Sequence, residues 1–331
     1  MATTPPADKT PVLSVIKFGG EVVGRAEQLA HVLTDVAALV EEGWRFVLCH
    51  GGGPQASALG RALGIEAKKI AGQRVTDERT LRVVSQAIAG EVGCAVVAGA
   101  WASGLAAVGL SAGVVHARRR PPVPVGEDGE LVDYGLVGDV TRVDLRAIEA
   151  CWSAGLTPVL SPIGVGSEAK EPLLFNVNAD TVAAALAAAL GADHLFAFTS
   201  VPGVLRDRAD PSTRIPRLSA AEARAAIAEG TIRGGMIPKV EEALAALAGA
   251  RAAHILAPEP GALADEASAP GSRGTVLIAP ETRGRTPAAT RGAEPSAAGR
   301  DKVEGPVQGD PPLEPTSAVA PQLLDSAQDR R

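Results

Sequence analysis

Val12-Leu13-Ser14-Val15-Ile16-Lys17-Phe18-Gly19-Gly20 reads as a short strand that runs directly into paired glycines. Arg45-Phe46-Val47-Leu48-Cys49-His50-Gly51-Gly52-Gly53-Pro54 repeats the arrangement with a longer glycine run. Brief, nearly continuous apolar runs suit strands covered on both faces. Between them, Ala26–Val40 carries apolar residues at helical spacing and stops before Gly43. Strand, glycine turn and helix in alternation predict parallel neighbours joined by crossovers.

The same alternation continues along the chain. Gln55–Leu63 is helical, and Asp77 is placed to cap a long helix from Glu78 to Trp101, apolar on nearly every face in its second half. Strands are expected at Ala106–Leu110, Thr157–Leu160, His194–Thr199, Ala253–Leu256 and Thr275–Ile278. Helices are expected at Asp144–Ala154, Asp180–Leu190, Ala220–Glu229 and Pro238–Leu247. Val114–Asp139 reads as short β pieces, with Gly126-Glu127-Asp128-Gly129 as a hairpin turn. The pattern predicts an α/β chain: a three-layer αβα sandwich around an open, mostly parallel sheet. Ligands in such folds sit at the carboxyl ends of the strands, where the glycines fall.

Composition narrows the functional classes. Of 331 residues, 46% are hydrophobic and only 3% aromatic, so the core must be built from Ala, Val, Leu and Ile. The net charge of −6 leaves no overall positive field for nucleic acid or an anionic membrane. Cys49, Cys94 and Cys151 form no CxxC pair and read as reduced, buried thiols of a cytoplasmic protein. The most apolar stretches, such as Val182–Leu190, fall short of a membrane span. Residues 1–11 are polar and proline-bearing, an expected disordered N-terminus, and 281–331 lacks Phe, Trp, Tyr and Ile, an expected disordered tail.

Several clusters have the makings of a site. Lys17 closing a strand before Gly19 and Gly20 presents an ammonium and bare backbone amides together, which suits a phosphate; a tight turn beside a solvated lysine is the plainer account. Gly51, Gly52 and Gly53 exceed what a turn needs, and close approach of backbone to an anion explains them better. His50 reads as a packed histidine rather than a base. Arg74, before the Asp77 helix, offers a bidentate fork for a carboxylate or is a surface arginine. Asn176, Asn178 and Asp180 crowd a helix start, where capping accounts for only one of them. Gly234-Gly235-Met236-Ile237-Pro238-Lys239 puts a second lysine at a helix start, in a site or on a helix surface.

Other nucleotide and hydrolase signatures are missing. There is no GxGxxG with its acidic partner, no GxxxxGK[ST], no HExxH spacing among the histidines and no GxSxG.

Taken in order, Lys17-Phe18-Gly19-Gly20, His50–Pro54, Arg74-Val75-Thr76, Asn176–Asp180 and Gly234–Lys239 resemble the amino-acid kinase family, in particular its N-acetylglutamate kinases, over about residues 12–280. The resemblance implies an amino-acid substrate lobe at 12–170 and a nucleotide-binding lobe at 171–280 on one sheet. It implies catalytic roles for Lys17, Lys239 and Asp180, with Asp180 orienting the two lysines. Gly52, Gly53, Arg74 and Asn176 match substrate-binding positions; Gly19, Gly20, Thr199, Val204 and Gly235 match nucleotide-binding ones. The implied substrates are N-acetyl-L-glutamate and ATP with Mg²⁺ held mainly by the nucleotide phosphates, and the implied assembly is an arginine-insensitive homodimer built on the Asp77 helix, with no nucleic acid or membrane partner. The missing general base agrees with phosphoryl transfer to a carboxylate, which is already ionised at pH 7. Two other readings stay open: a relative acting on aspartate or a carrier-bound aminoadipate, and a non-catalytic amino-acid sensor of the same fold.

Overall fold

The computed structural model describes residues 10–126, 129–168, 173–207 and 209–279. The expected tail at 281–331 and all but the last residues of the expected N-terminal segment lie outside these. Eight strands form the central sheet in the order Arg217–Ser219, Thr275–Ile278, Ala252–Leu256, His194–Phe198, Leu13–Phe18, Arg45–His50, Thr157–Leu160 and Ala107–Leu110. Every pairing is parallel except that of Ala252–Leu256 with Thr275–Ile278. Phe18 lies opposite His50 on one side and Phe198 on the other. Three central strands therefore end level, and the loops that follow them open onto one spot.

Side-chain alternation explains why both faces are covered. Val15, Val47, Leu195 and Ile255 join a core beneath Ala179–Leu190 and Met236–Ala246, which contribute Val182, Leu186, Val240 and Ala243. Ile16, Phe18, Leu48, Phe196 and Phe198 face the other way, against Leu29, Leu33 and Val36 of Ala26–Glu41 and Val96 of Gly93–Ala102. The period of two in the first strand thus feeds two separate cores. Each large apolar side chain so buried contributes roughly 1.5–3 kcal/mol.

A second sheet, ordered Leu174–Asn176, Ile163–Gly166, Val115–Arg119 and Gly138–Val143, stands beside the first. The expected hairpin forms, pairing Val123–Val125 with Glu130–Val132; Glu127 and Asp128 of its turn lie outside the described residues. The hairpin Lys69–Ile70/Gln73–Arg74, which carries Arg74, has strands too short to leave a periodic signal.

The long helix departs from expectation in three ways. It runs as α-helix from Glu78 to Val84, as π-helix from Ser85 to Val92, and as α-helix again from Gly93 to Ala102. Asp77 caps it, its Oδ1 accepting from the Thr80 amide at 2.7 Å. By length and composition this 25-residue helix is apolar enough to cross a membrane, contrary to the reading that every apolar stretch falls short. Its Val83, Val84, Ala87, Ile88, Val92 and Val96 are nevertheless buried within the chain. The third departure is Cys94, exposed on the face the sheet leaves uncovered, whereas Cys49 is buried and Cys151 half-buried; all three are free.

Candidate active site

A cleft of about 460 Å³ opens at the carboxyl ends of the central strands. It brings together Lys17, Gly19, Gly20, Gly52, Gly53, Arg74, Asn176, Asp180, Thr199 and Lys239, residues spread over most of the chain. Val204 and Gly235 are not among its walls. Val204 is fully buried in the core; its amide donates to Thr275 Oγ1 at 2.8 Å and its carbonyl accepts from the Ile215 amide at 2.8 Å. Gly235 is exposed and precedes the Met236–Ala246 helix as its N-cap. Full burial withdraws the Val204 side chain from the nucleotide pocket implied for it, whereas Gly235 stands exposed at the start of the helix that carries Lys239.

Two glycine positions are dictated by close approach. A Cβ on Gly20 would lie 2.7 Å from Pro54 Cδ and 3.2 Å from the Gly53 amide nitrogen. The two glycine loops are pressed together there, and the Gln55 side-chain amide ties them by donating to the Gly20 carbonyl at 3.0 Å. A Cβ on Gly52 would lie 2.9 Å from Ile88 Cγ1, so the π-helical segment forms the floor under the second loop. π-Helical turns are rare and tend to occur at functional sites.

The electrostatics are positive at the cleft's centre. Helices Gly53–Ala62 and Ala179–Leu190 begin at its walls. First-turn amides lack partners inside their helix and carry the positive end of its dipole. Lys17 Nζ forms an ion pair with Asp180, and both side chains are largely buried. Lys239 Nζ donates to Thr199 Oγ1 at 3.0 Å. Burial, and then the neighbouring Lys17 charge, push the Lys239 ammonium below its usual range. Asn178 caps the Ala179–Leu190 helix through its Oδ1, which accepts from the Asp180 amide at 2.7 Å, so Asp180 is free for Lys17.

Beside the second glycine loop, Arg74 donates through Nη2 to Ser57 Oγ at 2.8 Å and to the Gly53 carbonyl at 3.1 Å. Both bonds come from one nitrogen, so the rest of the guanidinium fork is available to a ligand. Asn176 Nδ2 donates to Thr76 Oγ1 at 3.1 Å. His50 is fully buried, its Nδ1 3.0 Å from the Gly51 carbonyl and its Nε2 3.3 Å from Ser161 Oγ, and burial lowers its pKa. It is a packed histidine.

Sequence reasoning missed Lys69, Arg120 and Glu242, which also line the cleft. Arg120 Nη1 donates to Gln73 Oε1 at 2.6 Å and its Nε to Asp139 Oδ1 at 2.7 Å, fixing the hairpin that carries Arg74. Glu242 is three residues beyond Lys239 on one helix, a spacing that places both on the same face and was readable in principle. Burial, and then the charge of Asp180, push its carboxyl up to about 7, with Lys17 and Lys239 partly offsetting the rise. Among the described residues no group of three or more His, Cys, Asp or Glu is placed to hold a metal ion.

A cleft with two convergent ammonium groups, two glycine loops and helix N-termini, on a parallel αβα sandwich, defines a phosphoryl-handling class of protein. The amino acid kinase family matches residues 13–257, and the chain belongs to it. Within that family it is 50% identical over 270 residues to the acetylglutamate kinase of Sorangium cellulosum, a match covering 80% of this chain and 94% of that one. It is 47% identical over 270 residues to the acetylglutamate kinase of Anaeromyxobacter dehalogenans, covering 80% of this chain and 98% of the relative. Among solved structures, N-acetylglutamate synthase from Neisseria gonorrhoeae, complexed with coenzyme A and N-acetyl-glutamate, superposes with a TM-score of 0.66. That match is 26% identical and covers 81% of this chain and 59% of the synthase.

Proposed function

We propose that this chain transfers the γ-phosphoryl group of ATP to the side-chain carboxylate of N-acetyl-L-glutamate, giving N-acetyl-L-glutamyl 5-phosphate for arginine biosynthesis. The observation that carries the reading is the cleft itself, which gathers Lys17, Asp180 and Lys239 together with Arg74 and Asn176. Its implied lobes are 12–170 for the amino acid and 171–280 for the nucleotide.

A substrate carboxylate oxygen attacks the γ-phosphorus as the bond to the β,γ-bridging oxygen breaks, and ADP leaves with that electron pair. No proton has to be removed, because the attacking carboxylate is ionised at pH 7. Charge spreads over the equatorial oxygens of the transferring group. In this reading Lys17 and Lys239 face that charge from two sides, and Asp180 fixes the direction of Lys17. Gly19, Gly20, Gly52 and Gly53 present backbone amides without side chains in the way. Thr199 sets Lys239 through its hydroxyl. Mg²⁺ held on the nucleotide phosphates, rather than by a cluster of protein carboxylates, would neutralise part of their charge. Arg74 and Asn176 hold the α-carboxylate and its neighbours.

The direct test is a coupled assay for ADP release with N-acetylglutamate, glutamate and aspartate in parallel. Turnover with N-acetylglutamate alone supports the proposal; preference for aspartate or silence with all three overturns it. A second expectation concerns recognition. Arg74→Lys keeps the charge but loses the planar fork, so KM for N-acetylglutamate should rise about tenfold or more while KM for ATP changes less than about twofold. Equal losses for both substrates would assign Arg74 to the nucleotide or to structure.

The same reading makes the protein a cytoplasmic homodimer across the long helix, through its exposed stripe rather than its buried one. Val83, Val84, Ala87, Ile88, Val92 and Val96 are occupied by the chain's own core, because the sheet and its neighbouring helices already cover them. Cys94, Ala98 and Trp101 face outward instead, with Trp101 58% exposed. Ala98→Glu should therefore give folded monomers by light scattering, whereas Val92→Glu should unfold the chain. A wild type that is monomeric at micromolar concentration rules the dimer out.

A further inference from the structure

Lys69 lines the cleft, and the phosphoryl-transfer reading gives it no task. It sits on the Lys69–Ile70/Gln73–Arg74 hairpin, directly opposite Arg74 in an antiparallel pair. Ala71 and Gly72 make the turn, with φ of 47° and 79°. Positive φ at both positions marks the two-residue type I′ turn, which fixes the register of the strands it joins. In such a hairpin the pair flanking the turn is the hydrogen-bonded one, and the next pair, here Lys69 and Arg74, is not. The ladder resumes one step on, where the Val75 amide donates to the Lys68 carbonyl at 2.9 Å. Opposed residues share one face of the hairpin, and those of a non-hydrogen-bonded pair lie closest. Two cationic side chains thus leave the same face side by side.

Like charges directly opposite one another destabilise a strand pair. Among the described residues the Lys69 side chain has no hydrogen-bond or ion-pair partner, and those of Arg74 are the uncharged Ser57 hydroxyl and Gly53 carbonyl. Burial works further against the Arg74 charge. Arg120 also lines the cleft and donates to Gln73 of the same hairpin, but it is neutralised by Asp139 at 2.7 Å. Two opposed cations in a cleft, with no acid paired to either, lack an anion.

We propose that Lys69 is a specificity-determining residue: with Arg74 it forms a two-cation receptor for the acceptor's non-reacting carboxylate, so that the site selects dicarboxylates. The inference rests on the kinase reading and deepens its account of the acceptor. N-acetyl-L-glutamate carries two carboxylates, and the one that does not attack phosphorus stays ionised throughout. Its contacts are the same in the ground state and the transition state, so they belong in KM rather than in kcat. Arg74 supplies a planar fork and Lys69 a point charge on a flexible stem, so the two can share one carboxylate.

Kinetics and calorimetric binding with Lys69→Met and Lys69→Arg test this. Met keeps the apolar stem and removes the charge. In Lys69→Met, KM and Kd for N-acetylglutamate are expected to rise about fivefold, with kcat and KM for ATP moved less than about twofold. Lys69→Arg should recover most of the loss. The rise should shrink with added salt, because Lys69 is exposed and its field is screened. The decisive ligand is 4-acetamidobutyrate, which is N-acetylglutamate without its α-carboxylate. Its Ki as a competitor should be the same in the wild type and Lys69→Met. The melting temperature of Lys69→Met should match or exceed that of the wild type, since the opposed charges are relieved. Unchanged N-acetylglutamate affinity, equal losses for both ligands, a loss confined to ATP or a lowered melting temperature overturns the proposal. Lys69-dependent binding of N-acetylglutamate in a protein that releases no ADP would overturn the kinase reading instead and leave the carboxylate receptor standing.

Discussion

Lys239→Ala is expected to lower kcat by on the order of 10²–10³ while KM for each substrate moves far less. Its ammonium is bonded to an uncharged hydroxyl, Thr199 Oγ1, so its charge remains available for the transferring phosphoryl group. Interactions that strengthen as charge develops appear in kcat rather than in ground-state affinity. Lys17→Ala should cost a similar factor in kcat but differ in KM. Its removal strands Asp180, whose carboxylate is paired with Lys17 in the cleft. An unpaired anion there repels both substrates, so KM for ATP should rise as well. Steady-state kinetics with both substrates varied separates the two patterns. Near-wild-type turnover in either variant removes that lysine from the site.

Gly20→Ala should be nearly as damaging without touching any charge. The added Cβ meets the Pro54 ring at 2.7 Å, and a proline ring cannot swing aside as a flexible chain would. The loops that end the first two strands must separate, carrying the Gly19–Gly20 and Gly52–Gly53 amides apart. Misplacement on the order of 1 Å costs about 10² in rate for chemistry that depends on alignment. The expected result is a fall of that order in kcat with the melting temperature lowered only modestly, because the contact lies at the rim of the sheet. Wild-type kcat in this variant would show that the loops have slack and that their spacing is not set by Gly20.

Much of this site was readable before any coordinates. The strand ends at Phe18 and His50 announce themselves through apolar runs broken by glycines, and the residues that follow are fixed by the strand register once the sheet forms. Lys17, Lys239 and Asp180 are isolated charges beside turns and helix starts, a pattern that local sequence preserves. Glu242 is different. A glutamate in an alanine-rich helix reads as a solvated charge until the neighbouring helix is known to present Asp180 to it. Val204 shows the limit of reading a role from a motif: its loop was placed at the nucleotide pocket by resemblance, yet its valine sits in the core, tied to Ile215 and Thr275. The π-helical stretch left no trace in periodicity, since its wide turn is matched to the side chains packed under Gly52.

That wide turn also works as a phase shifter. A helix that accommodates one residue beyond the usual turn emerges rotated by about 100° relative to an uninterrupted one. Everything after Val92 owes its facing to this offset: Val96 and Ala100 turn inward, and Cys94, Ala98 and Trp101 turn outward. Deleting a single residue between Ser85 and Val92 would leave the composition of the helix almost unchanged while swinging a different stripe toward solvent. The segment that supports the second glycine loop thus also decides, at its far end, which side of the helix the molecule shows to its surroundings.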